Sequence, residues 1–174
     1  AYDDRIEREL DYFANRIAAG THREMPSYGL GPLVCAFSLA ADVFEGDHLD
    51  TARELFEYTA DADRFAFDHS EDSLLLYGWT YLYERDPTPE VRAAIDRAMY
   101  DIVEHQNAWK TLFYFDNPTT RRHQNQMYTL WGLCRGIEVT DRRGYLENVE
   151  AVLDYTIDVR MRDDGAFIWE DPSR

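Results

Sequence analysis

"DSLLLYGWTYLYER", residues 72–85, decides the fold. It reads as a helix that is apolar nearly all round, the pattern of a helix enclosed on every side. Two other stretches share that character, residues 30–44 and 124–139. Striped segments alternate with them. Residues 3–18 carry Ile6, Leu10, Phe13, Ala14 and Ile17 at helical spacing, and residues 48–60 carry Leu49, Ala52, Leu55 and Phe56. Residues 89–105 and 143–162 repeat the stripe, through Val91, Ile95, Ala98, Met99 and Ile102 and then Leu146, Val149, Val152, Leu153 and Ile157. Pro89 suits the first turn of its helix, where a missing N–H costs nothing. Apolar helices alternating with striped ones imply an all-α fold of antiparallel helical hairpins in two layers, an inner ring wrapped by an outer one.

The connections sharpen that expectation. "VFEGDH", "LYERDP" and "GIEVTD" end the apolar helices with short acidic turns, placing Glu45, Glu84 and Glu138 alike, as in a degenerate repeat of roughly 40 to 50 residues. The opposite connections, 20–29, 64–71 and 106–123, are longer, and a fourth such segment, 163–174, closes the chain. Antiparallel helices put all four at one end, and long loops on a rigid scaffold are where function gathers. Residues 1–174 read as a single helical-hairpin domain. Its first striped helix lacks an apolar partner and its last connection lacks a following helix. The pattern therefore fits a segment of a larger ring whose open flank is covered by further chain or another subunit; the rival expectation is a complete array with capped ends.

Composition excludes several classes. The net charge is −16, and among 18 basic residues Lys110 is the only lysine. Such a surface repels phosphate backbones and anionic membranes, so neither nucleic acid nor membrane is an expected partner. Acidity with almost no lysine suggests adaptation to high salt, where a charged surface stays hydrated and self-repulsion is screened. The longest charge-free apolar stretch, 28–41, is too short to span a bilayer, and no signal peptide is visible, which points to the cytoplasm. Cys35 and Cys134 lie in apolar helical runs and read as buried free thiols. The histidines show no ligand spacing and no phosphate-binding glycine loop occurs, so neither a metal nor a cofactor is expected.

"HQNQMYTLWGLCRGIEVTDRRGYLENVEAVLDYTIDVRMRDDGAF", residues 123–167, resembles a hairpin of the N-acylglucosamine 2-epimerase type. The similarity lies in an inner helix, a turn similar to T-x-D-x-x-Y-L through Thr140, Asp141, Tyr145 and Leu146 with the acid one place earlier, an outer helix, and a D-x-G-x-F segment at Asp163, Gly165 and Phe167. The remainder of the chain is similar only in its hairpin pattern. The resemblance implies a partial or complete (α/α) toroid of the six-hairpin glycosidase-like superfamily, many of whose members act on carbohydrates. That pattern has histidines flanking the methionine equivalent to Met127. This chain has Gln126 and Tyr128, so no catalytic residue is carried over.

Three loop-side constellations remain. In "RRHQNQM", 121–127, Arg121 and Arg122 can grip a carboxylate through forked hydrogen bonds, Gln124 can read hydroxyls with Asn125 and Gln126, and His123 can shuttle a proton. Tyr128 joins this substrate-binding set. The alternative is that the arginines pair with the acidic surface and the amides cap the helix. "FAFDHSEDS", 65–73, offers Asp72 and His69. Ser70 or Asp72 would cap the helix in the structural alternative. Asp72 and Asp116, from neighbouring loops, could form the carboxylate pair of glycosidic-bond hydrolysis, assisted by His69 or His123. "AWKTLFYFD", 108–116, offers Trp109 and Tyr114 as faces for sugar rings while Leu112, Phe113 and Phe115 plug the loop onto the core; Trp169 is grouped with the stacking faces. The expected function is a carbohydrate-active, glycoside hydrolase-like enzyme working on an oligosaccharide, acidic if the arginines bind it. Lyase or epimerase chemistry stays open, and the alternative is a non-catalytic helical-repeat module for partner binding or assembly.

Overall fold

A computed structural model describes residues 3–115 and 122–169. The described chain is all-helical. Its α-helices are α1 (Asp3–Ala18), α2 (Ser27–Ala40), α3 (His48–Thr59), α4 (Ser73–Arg85), α5 (Pro89–Glu104), α6 (His123–Thr140) and α7 (Leu146–Tyr155). Short 3-10 turns precede α2, α4 and α7, at Thr21–Glu24, Ser70–Asp72 and Arg143–Tyr145. Isolated bridges pair Gln106 with Phe113 and Met161 with Phe167. No helix among the described residues is long and apolar enough to cross a membrane.

The apolar stretches become neighbours. α4 packs between α2 and α6; α3 lies on α2 and α4, α5 on α4 and α6, and α7 on α6. Two close crossings make this possible. At Gly31 of α2 and Gly78 of α4 the backbones touch: a Cβ on Gly31 would lie 2.0 Å from the Leu74 carbonyl oxygen, and one on Gly78 would lie 2.2 Å from that of Gly31. Gly132 of α6 meets α4 in the same way, 2.5 Å from the Ser73 carbonyl oxygen. Below the crossings the core fills with Phe37, Leu55, Phe56, Leu75, Leu76, Trp79, Ile95, Met99 and Leu133.

Several expectations from sequence need correction. α4 is enclosed, but α2 and α6 are not: Tyr28 and Leu39 on α2, and Trp131 and Cys134 on α6, are exposed. α4 has an apolar helix on each side, whereas α2 and α6 each have one on a single side. Cys134 is accordingly an exposed thiol and Cys35 a half-buried one; both are free. Burial pushes the Cys35 thiol up to about 11, so it stays protonated at neutral pH. α2 starts three residues before the expected 30 and ends at Ala40, where turns take over and the Val43 and Phe44 amides both bond the Ala40 carbonyl. The helix expected over 143–162 is α7 followed by a π-turn, Thr156–Arg160. That wider turn ends on a fully buried Arg160, whose guanidinium donates to the carbonyls of Ile168 and Trp169 at 3.4 and 3.1 Å.

Arginine–carboxylate pairs tie the short-turn end together. Arg85 bonds Asp42 at 2.5 Å, Arg53 bonds Asp86 at 2.6 Å, Arg135 reaches Glu84 at 2.8 Å and Arg142 reaches Asp96 at 2.8 Å. Each pair joins residues distant in sequence. The planar guanidinium fork suits such two-sided contacts better than an ammonium does.

Candidate functional site

At the other end the N-terminal tips of α2, α4 and α6 meet. The 3-10 turn Ser70–Asp72, which leads into α4, touches both α2 and α6. From the first turn of α6, Asn125 donates through Nδ2 to Ser70 Oγ at 2.8 Å and to Glu71 Oε1 at 3.1 Å. Ser70 in turn donates to Glu71 Oε2 at 2.9 Å. Ser27, the first residue of α2, faces the Asp72 carboxyl from the other side and favours its charged form. Helix capping does not explain this arrangement. Asp72 occupies the N-cap position of α4, as the sequence suggested, but its side chain makes no capping bond, and no side chain caps α6 or the Ser70–Asp72 turn. The amides of α6 do not cap their helix either; Asn125 and Gln126 reach outward to other segments.

Asp72 stands out chemically. It is 6 % exposed, and no arginine or lysine among the described residues pairs with it. Burial raises its pKa above the ordinary 3.8; hydrogen bonding from Ser27 and the field of His69 pull the other way without cancelling the shift. His69, beside it, is exposed and bonds Asp68 Oδ1 through Nδ1 at 2.7 Å, which raises the imidazole pKa. Possible ligand atoms of Asp68, His69 and Asp72 lie within 4.8 Å of one another, close enough for one divalent cation to bridge. The Asp68–His69 ion pair already accounts for two of those three groups, and we assign no metal there.

Gln126 does work that the sequence did not reveal. Its amide accepts from the Phe113 N–H at 2.9 Å and donates to the Phe113 carbonyl at 2.8 Å, both buried. One side chain thus pairs with the backbone as a strand edge would, fixing the 106–115 loop to α6. The loop seats Leu112, Phe113 and Phe115 in the interior and leaves Trp109 82 % exposed, the division expected from sequence, with Tyr114 half-buried. Gln126→Ala removes two buried hydrogen bonds. The expected cost is about 2 kcal/mol, read as a lowered urea midpoint together with faster hydrogen exchange at the Phe113 amide.

The other sequence candidates are dispersed around this centre. His123, half-buried at the start of α6, stacks on Phe167 with centroids 4.4 Å apart. Burial, then the charge of Arg160, lowers its pKa and holds it neutral. Its amide donates to the Trp169 carbonyl at 2.7 Å, while the Trp169 ring is largely exposed. Gln124 donates to the Tyr128 hydroxyl, and Tyr128 leans on Trp131 at 5.7 Å, so this pair faces away from Asn125 and Gln126 on the same helix. Arg122 is half-buried at the N-cap position of α6. Asp116 and Arg121 lie outside the described residues. The structure therefore brings together Asp72 and His69 with Ser27, Ser70, Glu71 and Asn125. Of these, the link from Asn125 to Ser70 carries no signal in sequence spacing. No protein-family model, curated protein or solved structure matches the chain.

Proposed function

We propose that the chain is an arc of a two-layer (α/α) toroid of the six-hairpin glycosidase-like kind, with α2, α4 and α6 inside and α3, α5 and α7 outside, and that it cleaves glycosidic bonds by carboxylate acid–base catalysis. Asp72 carries this proposal. A buried carboxyl with a raised pKa and no arginine or lysine partner among the described residues costs stability, and groups tuned in this way concentrate at active sites. It serves as the general acid, delivering its proton to the glycosidic oxygen. Ser70 and Asn125 position Glu71, whose two oxygens they engage. Asp116 remains the second carboxylate of the sequence-based pair, and Trp109 and Trp169 offer exposed rings on which sugars can stack.

Asp72→Asn separates cost from use. A folded-state pKa above the ordinary value means that the carboxyl contributes stability in acid and loses it as pH rises through that raised pKa. Removing the charge should therefore leave stability in acid nearly unchanged and raise the melting temperature at neutral pH. The same variant should abolish release of reducing ends from oligosaccharides. A neutral-pH melting temperature below that of the unmodified chain, or undiminished turnover, would sink the assignment.

Exposed apolar surface favours a second reading, a non-catalytic helical-repeat module. A cleft of about 450 Å³ between α1 and α2 is lined by Ile6, Leu10, Phe13 and Leu33, and Leu153, Ile157 and Val159 are exposed beyond α6. Contiguous apolar patches of this kind mark contact with other protein. A scaffold would tolerate Asp72→Asn without functional loss and would show no turnover to begin with.

A further inference from the structure

Past the π-turn the chain folds into a hairpin. The Arg162 N–H donates to the Ala166 carbonyl at 2.8 Å and the Ile168 N–H to the Arg160 carbonyl at 2.7 Å, with Gly165 left-handed at the bend, φ 81°. Residues 161–167 are exposed along their whole length. The hairpin meets the body at the head of α6. There the Phe167 ring lies flat on His123, 13° from parallel, and the His123 amide bonds the Trp169 carbonyl. We propose that this hairpin is a proton-controlled strap, docked on α6 while His123 is neutral and released when His123 gains a proton.

Two features of the stack oppose an imidazolium. His123 Nδ1 is buried and has no hydrogen-bond partner. The neutral ring meets that condition with its proton on Nε2. A second proton would set an N–H at Nδ1 with no acceptor, a buried orphan donor of the kind folded structures avoid. Charge is the other feature. The charged groups on the elements around the ring are Arg160 at the end of the π-turn, Arg122 at the N-cap of α6, Glu71 in the Ser70–Asp72 turn, and Arg162, Asp163 and Asp164 at the hairpin bend. Arg160 is fully buried, and its positive charge bears on the ring. Glu71 is engaged by Ser70 and Asn125, and Arg162 pairs with Asp164 at 2.9 Å in the exposed bend. The face of Phe167 works the other way, since an aromatic quadrupole attracts a cation. Burial and Arg160 lower the His123 pKa from its ordinary 6.5. Docking is therefore at full strength above 6.5 and weakens as pH falls through the lowered value. Trp169 follows Phe167 by two residues, so release also carries an exposed indole away from the head of α6.

The test follows the whole chain by NMR, without substrate, from about pH 7.5 down to about pH 5. It reads the His123 pKa from the ring nitrogens and the protection of the His123 and Ile168 amides against hydrogen exchange. The Trp79 amide, inside α4, reports the global fold. We expect a His123 pKa below 6.5. On acidification, protection at the two hairpin-linked amides should fall by about tenfold for each pH unit separating the measured value from the ordinary one, while Trp79 holds. His123→Phe keeps a flat ring against Phe167 and cannot titrate, so Ile168 should stay protected in acid. Phe167 is exposed, and Phe167→Ala should leave the fold intact, return the His123 pKa toward its ordinary value and lower Ile168 protection already at neutral pH. A His123 pKa at or above 6.5, protection of Ile168 that ignores pH, or an acid loss that persists in His123→Phe would overturn the strap. No readout involves substrate or Asp72, so the strap and the catalytic proposal stand or fall separately.

Discussion

Trp79→Ala should lower stability by about 3 to 5 kcal/mol, the range for deleting a fully buried aromatic side chain. Trp79 sits at the middle of the apolar helix α4 with no exposed surface. Its ring meets Phe56 and Phe67 edge-on, each with centroids 5.6 Å apart, and so joins α3 to the loop before α4. Its Nε1 donates to Thr59 Oγ1 at 2.9 Å. The truncation removes the packing of two aromatic partners and that hydrogen bond at once. Domains of this size hold only about 5 to 15 kcal/mol in total, so the variant should be largely unfolded well below the unmodified chain's urea midpoint. Trp79→Phe keeps most of the volume and loses the donor, and should cost about 1 to 2 kcal/mol. Equal effects from the two substitutions would mean that the hydrogen bond, rather than the packing, holds this position.

Gly31→Ala should cost about 3 kcal/mol, at the upper end for overpacking, although it adds a single carbon. The new Cβ would lie 2.0 Å from the Leu74 carbonyl oxygen and 2.3 Å from its carbon. Both are backbone atoms within helices, so no rotamer change relieves the clash and α2 must move off α4. Ser27 lies one turn before Gly31, and Asp72 lies two residues before Leu74. Separation at the crossing should therefore also draw Ser27 away from Asp72. Gly20→Ala is the useful contrast. There a Cβ meets nothing within 4 Å, so any penalty comes only from the positive φ of 71°. Comparable urea midpoints for Gly31→Ala and Gly20→Ala would show that the helices are not in backbone contact.

Helix identities were legible because burial imprints a period on the sequence. α1 runs over the segment its stripe marks, Asp3–Ala18; α3 and α5 depart from expectation by one residue at one end, and α6 by one residue at each end. The π-turn over Thr156–Arg160 was not legible, since the striped pattern continues through Ile157 and gives no sign that the register widens. How closely the helices approach was also hidden. Gly31, Gly78 and Gly132 are simply gaps in an apolar pattern until a partner backbone is placed against them. The candidate site was legible in part: a cluster of carboxylates with His69 before an apolar helix drew attention to Asp72. Its surroundings depend on side chains from three helices that no linear spacing relates. The amides of α6 were read as one set, yet consecutive residues on a helix point in different directions. Gln124 turns to Tyr128, Asn125 to the tip of α4 and Gln126 to the 106–115 loop.

That divergence links mechanical neighbours. Asn125 grips the tip of α4, and Gln126 holds the backbone behind Phe113, from the same turn of one rod. A shift of α6 along its axis would drag both attachments together. The exposed indole of Trp109 and the carboxylates at the head of α4 would then travel as a unit, so that the distance between them is set by one helix instead of by two independently moving loops.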